Sequence, residues 1–407
     1  MGVYIDAGSR FETAANNGTA HFLEHMAFKG TTTRSQSALE VEVENMGAML
    51  NAYTSRELTT YYAKCFSSDV GASVEILSDL LLRPTLDAAA VEAERAVILR
   101  EMQEVNDMPE EVVLDYLHAT AYQGTSLGHT ILGPAENIKS ISQTDLRNYI
   151  DTYYTAPRMV LAASGGVVHE ELVEYAEQHF GGLSADVNVP ATERKFTGSD
   201  IRARDDEAPL AYLSIAVEGC GHTDPDYYPL MVASSIIGNF DRNFSGGKDM
   251  SSPLARLCAT EGYAHSYMSF LTSYSDTGLF GVYAVCPPTG APEDFLWALQ
   301  QEWQRMCSAT TESDVVRAKN QLKASLAFAN DGTTAVCDEL GRQMLSHGRR
   351  VTPAELDTAI AGVTVDAVKT VMDKYVYDEC PAVTAVGAVE GVTDYNRLRA
   401  GMTWIRS

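Results

Sequence analysis

The sequence predicts an α+β chain of two homologous domains, each a mostly antiparallel sheet packed with helices. Three observations carry this. At 407 residues the chain is too long for one small domain and calls for two or three. Strand and helix periodicities alternate through its first half. One order of elements also occurs twice: residues 4–8 (YIDAG) are answered by 215–219 (IAVEG). Each copy continues into a helix and then a glycine-led hairpin, over 47–65 in the first and 262–286 in the second.

Residues 2–5 read as the inside of a strand, so sequence upstream of the first residue is expected. A helix follows over 20–28, with Thr19 its expected cap. A second helix over 37–45 stops at Gly47. Alternating, β-branched and aromatic residues make strands of 49–53 and 58–65, with Ser55-Arg56-Glu57 as the turn. Amphipathic helices are expected over 69–82, ending before Pro84, over 87–105, and from Pro109 to about residue 122. The polar stretch 190–207 lacks helical periodicity and reads as a linker. The expected division is therefore 1–189, linker 190–207 and 208–407.

Composition narrows the function classes. Fifty-five acidic against 30 basic residues leave a net charge of −25, which argues against nucleic acid and favours basic or neutral partners. No run approaches the length of a transmembrane helix. Seven scattered cysteines without a CxxC pair read as reduced thiols, not a disulfide framework or a cysteine zinc cluster. The N-terminus has no charged and apolar regions of a secretory signal, and Asp6 breaks the myristoylation pattern.

The sharpest motif is His21-Phe22-Leu23-Glu24-His25. On a helix, positions i and i+4 share a face, so both imidazoles can meet one metal ion, with Glu24 in reach of a metal-bound water. HxxEH is an inverted zinc-peptidase signature. Phe22, Leu23, Met26 and Phe28 make this a buried helix, where unsatisfied histidines and a carboxylate cost several kcal/mol. Catalytic zinc needs a third protein ligand. Glu101 is a candidate, and Glu94, two turns earlier on nearly the same face, is another. One could ligate while the other orients a ligand histidine; spacing alone leaves the choice open. The other seven histidines have no ligand spacing among themselves.

Three stretches, NGTAHFLEHMAFKGT, LNAYTSRELTTYYAKC and ERAVILREMQEV, resemble the pitrilysin-type metallopeptidases. Within these they are similar to the β-type subunits of mitochondrial processing peptidase and to the related core I subunits of respiratory complex III. The likeness covers nearly the whole chain. It implies one zinc ion per chain on His21, His25 and Glu101, which stands 76 residues beyond His25. It also implies Glu24 as the catalytic base and Glu94 as a supporting glutamate. The second half has no HxxEH; its equivalent helix reads Leu230-Met231-Val232-Ala233-Ser234. Ser245-Gly246-Gly247-Lys248 is too short for the α subunit's glycine-rich loop, which favours the β type.

The expected substrate is a basic presequence peptide. Glu101, Glu104, Asp107, Glu110, Glu111 and Asp115 lie within 15 residues with no Lys or Arg among them. Glu111 and Asp115, one turn apart, can clamp a guanidinium, and the resemblance assigns that position to a presequence arginine. It also implies that Asn51 and Ala52 lie on an edge strand pairing with the substrate backbone. Phe28 matches a residue near the pocket after the cut. The implied partner is an α-type processing peptidase or core II subunit, in the mitochondrial matrix or on the matrix face of the inner membrane. Two other readings compete: a structural core I subunit of complex III, with or without processing activity, and a homodimeric oligopeptidase.

Overall fold

Strand Gly2–Ile5 (β1) is buried at every residue, and the first sheet is built around it. It pairs antiparallel on both sides, with Thr59–Lys64 (β3) through Val3 and Tyr61, and with Met159–Ala162 (β4) through Val3 and Leu161. Met49–Thr54 (β2) pairs with β3, giving the order β2-β3-β1-β4 with β2 at an edge. The computed structural model describes residues 1–186, 189, 192–244, 246–288 and 290–404. Pro190 and Ala191, the start of the expected linker, and Ser245 lie outside the described residues.

Both faces of this sheet are covered, which is why β1 reads as continuously apolar. On one face Val3, Ile5 and Tyr61 share a core with Phe22, Leu23 and Met26 of helix Thr19–Ala27 (α1). Leu39 of Gln36–Asn45 (α2) packs on Ile76 and Leu80 of Val70–Leu82 (α3). Val91 and Ile98 of Ala88–Asn106 (α4) complete the layer. The other face is covered by the distant helix Thr333–His347, where Cys337 packs with Tyr4, Leu58 and Ala162. Gly341 is needed there, because a Cβ would stand 2.2 Å from the Tyr4 ring.

The chain divides into two compact units, with two exchanges that sequence alone does not mark. Unit 1 holds Met1–Glu104, Thr125–Glu193 and Ala329–Arg350; unit 2 holds Val105–Gly124, Arg194–Phe328 and the chain from Val351 on. Helix Pro109–Ala121 (α5) therefore belongs to the second unit and Thr333–His347 to the first. Turn residues mark the ends of both helices, but nothing in their sequence says which unit each one joins, since the same amphipathic pattern suits either core.

The second unit is built on Asp200–Arg204 (β5), Ala211–Gly219 (β6), Asn239–Asp241 (β7), Ser266–Ser273 (β8), Gly278–Cys286 (β9) and Ala382–Gly387 (β10). Their order is β5-β10-β6-β9-β8-β7, antiparallel except for the β5–β10 pair. Part of the stretch read as a linker is thus a strand. Ile201 and Ala203 alternate with three charged residues, a pattern that suits an edge strand and gives little hydrophobic signal. Both units share the order strand, helix, hairpin: β1, α1, β2–β3 in one and β6, Tyr227–Ile237, β8–β9 in the other. No described helix is long and apolar enough to cross a membrane, and none of the seven cysteines forms a disulfide.

Candidate metal centre

Helix α1 is nine residues long and buries seven of them, His21 included. Its apolar positions alone drive it onto the sheet, so the histidines enter the interior as passengers of a hydrophobic face. The one-turn spacing brings the His21 and His25 rings to 4.7 Å between centroids, inclined at 77°. Thr19 is not the cap that sequence predicts. Gly18 occupies that position with φ of 103°, and the Thr19 hydroxyl donates to the Asn16 carbonyl instead. A side chain at residue 18 would meet the Leu132 carbonyl at 2.8 Å, which excludes a serine or threonine cap.

Helix α4 brings the carboxylates. Val91, Glu94 and Ile98 form its buried face, and Arg95 holds it by donating to the Ile138 and Ile141 carbonyls. One turn past Ile98, Glu101 reaches both histidines: its Oε1 lies 3.5 Å from His21 Nε2, and its Oε2 3.0 Å from His25 Nε2. Glu94 lies on the other side of His25, with Oε1 2.9 Å from Nδ1. Its second oxygen receives the Lys29 ammonium at 2.8 Å. The geometry therefore separates the two glutamates that spacing leaves equivalent.

Facing Glu94, the Nδ1 of His25 donates, which leaves the Nε2 lone pair directed at the Glu101 carboxylate. Two acceptors 3.0 Å apart require a cation between them or a proton on one. Burial lowers the proton affinity of His25, but hydrogen bonds to Glu101 and Glu94 outweigh it and raise the imidazole above its ordinary value. The hydrogen bonds of His21 and His25 hold the Glu101 carboxyl far below the usual carboxylate range.

The donors suit zinc. His21, His25 and Glu101 each offer an atom within 4.8 Å of the others. Tetrahedral zinc with bonds of about 2.0–2.2 Å separates neighbouring donors by roughly 3.3 Å. The contacts of 3.5 and 3.0 Å bracket that spacing. Two imidazoles and one carboxylate are also a catalytic zinc set that keeps a fourth position for water. Glu101 is the most exposed of the three, with 39% of its side chain accessible, so the centre can be reached from solvent.

Glu24 makes no hydrogen bond or ion pair among the described residues. Its charge is felt by the phenols of Tyr61 and Tyr154, which are buried 3.2 Å apart; burial raises both, and Glu24 adds to it. Asn51 and Ala52 lie on β2, whose outer edge has no strand beside it among the described residues. Phe28 closes α1, half-buried against the cores of both α1 and α2. Glu111 and Asp115 lie on α5, in the second unit. Glu111 is exposed and Asp115 half-buried. Two contacts escape sequence reasoning. Lys29 on Glu94 could have been found from its i+4 position after His25, whereas Glu12, which binds the start of α1, has no periodic signal at all.

Residues 1–135 match the family model described as insulinase (peptidase family M16), and residues 140–322 the one described as the peptidase M16 inactive domain. Subunit beta of mitochondrial-processing peptidase from Bos taurus is 55% identical over 408 residues, covering 100% of this chain and 83% of the relative. Subunit 1 of the human cytochrome b-c1 complex is 48% identical over 410 residues, covering 100% of this chain and 85% of the relative. In the solved structure of complex III2 from Candida albicans bound to Inz-5, a chain 27% identical superposes with a TM-score of 0.90, over 99% of this chain and 94% of that one.

Proposed function

This chain belongs to peptidase family M16, and from that premise we propose that it is a zinc endopeptidase removing N-terminal presequences from imported mitochondrial preproteins. In this reading it is the catalytic β-type member of a heterodimer with an α-type partner, working on the matrix side of the inner membrane. The observation that carries the reading is the convergence of His21, His25 and Glu101 beside an unpaired Glu24. The 55% identity to a processing-peptidase β subunit along the full chain supports the substrate class.

His21, His25 and Glu101 would hold one zinc ion. When bound, the ion supplies Lewis acidity, lowering the pKa of a bound water and polarising the scissile carbonyl. Glu24 takes the proton from the attacking water and returns it to the leaving amine nitrogen. Glu94 fixes the tautomer of His25 and holds its Nε2 toward the ion, with Lys29 balancing its charge. The open edge of β2 at Asn51 and Ala52 takes the substrate as an added strand, so backbone bonds carry affinity across varied sequences. Glu111 and Asp115 recognise a presequence arginine, and Phe28 borders the residue after the cut.

A second reading, a core I subunit of complex III, is favoured by the 48% identity to cytochrome b-c1 subunit 1 and by the TM-score of 0.90. The two are compatible, and the complete donor set supports retained activity. The deciding experiment is cleavage of an arginine-bearing presequence peptide by the chain alone and with an α-type partner. Cutting that requires the partner supports the processing reading. Cutting without it points to a stand-alone oligopeptidase. No cutting in either state, with zinc bound, leaves the structural core subunit.

A further inference from the structure

Helix α1 has no cap of its own, yet its first turn is held by a residue well outside the helix. Glu12 is buried at 3% exposure and spends both carboxylate oxygens on this turn. Oε1 accepts the Ala20 N–H at 2.6 Å, while Oε2 accepts the Gly18 N–H at 2.9 Å and the Asn17 side-chain amide at 2.8 Å. Ala20 immediately precedes His21. The far side of the turn is fixed as well, since the Asn137 amide donates to the Ala14 and Asn17 carbonyls. Burial pushes the Glu12 carboxyl up to about 7, against the N–H donors that hold it down.

We infer that Glu12 is a positioning residue for the metal centre, setting the pitch at which α1 presents His21 and His25 to Glu101. The inference rests on the zinc-peptidase reading of α1. A helix cap that only stabilised the fold would need one acceptor for one N–H, as serine provides. Here one carboxylate binds two backbone amides two residues apart, which fixes the axis of the turn as well as ending it. A shift of α1 would carry both imidazoles, which ride on it together, away from the Glu101 carboxylate on α4. His21 would be affected most, because its Nδ1 is buried without a hydrogen-bond partner among the described residues.

The test compares the wild-type full-length chain with Glu12→Gln at pH 8, where the wild-type group is ionised. Glutamine keeps the shape but must set its own NH₂ against one of the N–H donors. Zinc affinity is read by competition with a chromophoric chelator. Peptide cleavage with the α-type partner is read as separate kcat and KM, and folding as the Tm of the metal-free chain. The expected result is about tenfold weaker zinc binding and a lower kcat at unchanged KM, on a chain that still melts cooperatively. A lowered Tm with unchanged zinc affinity and kcat would reduce Glu12 to a fold-stabilising cap and overturn the inference. If Glu12→Gln does not fold, Glu12→Asp decides, since the shorter side chain keeps the charge but cannot hold the Gly18 and Ala20 N–H groups together. A several-fold loss of zinc affinity in that variant supports the inference, and unchanged affinity overturns it. A wild-type chain that binds no zinc would instead sink the metal reading, and this inference with it.

Discussion

His25 Nδ1 lies 2.9 Å from Glu94 Oε1, and that contact sets apart two otherwise similar glutamates. Glu94 is buried and shared with Lys29, whereas Glu101 is half-exposed and faces both imidazoles. We therefore predict that Glu94→Ala weakens zinc binding by about 10- to 100-fold without abolishing it. Glu101→Ala, which removes a proposed ligand, should cost far more. Chelator competition on the two variants checks the order; equal losses would contradict the separation of roles.

Glu24→Gln should retain zinc and lose turnover. General acid–base catalysis contributes about 10²- to 10⁴-fold, so kcat is expected to fall by that range with KM nearly unchanged. Metal analysis beside initial-rate kinetics makes the check. A variant that cleaves normally contradicts the assignment of the base.

Acid stability should depend on Asp79 of α3, fully buried against the loop after α1. It accepts from Thr31 at 2.5 Å, Thr33 at 2.6 Å, Arg83 at 2.5 Å and Arg34 at 3.1 Å. Burial raises its carboxyl, but these donors prevail and hold it down at about 2, against 3.8 for the free group. A depressed carboxylate stabilises the fold above pH 3.8, and that contribution is lost as the pH falls through about 2. It amounts to about 2 kcal/mol. Denaturant unfolding between pH 5 and 2 should show this loss in wild type, and Asp79→Asn should lack that part of the slope.

Gly341→Ala should destabilise the first unit although it lies far from the metal site in sequence. The new methyl group would meet the Tyr4 ring at 2.2 Å, and overpacking of this kind costs about 1–3 kcal/mol. A Tm lowered by several degrees is expected; an unchanged Tm would mean that the helix can lift from β1 at no cost.

Neutralising Glu111 and Asp115 together should raise KM for arginine-bearing peptides about tenfold while leaving kcat and zinc affinity unchanged. Steady-state kinetics on peptides with and without the arginine separates this from general electrostatic attraction. An equal change for both peptides would assign these acids to steering instead.

Much of this was legible in the sequence. The periodicities and turn residues gave α1 through α5 and the β2–β3 hairpin to within a few residues, most clearly where an apolar stripe is buried, as in α1 and α3. The HxxEH spacing carries its own geometry, since one turn of helix fixes the relation of His21 to His25. Glu101 and Glu94 could not be told apart by spacing, because their roles depend on how α4 lies against α1. Strand β5 was hidden by its charged edge positions. The exchange of α5 and helix Thr333–His347 between units was hidden because amphipathic helices do not name the sheet they cover. Glu12 was invisible for a related reason: two of its partners are backbone amides, which every sequence supplies.

The most direct test of the account is zinc-dependent cleavage of a presequence peptide by the chain with its α-type partner, after metal removal and after zinc is restored. The account predicts one zinc per chain, no cutting by the metal-free form, full recovery on adding zinc, and no recovery in Glu24→Gln. Cutting that survives metal removal, or a zinc-loaded wild type that never cuts any such peptide, would contradict it.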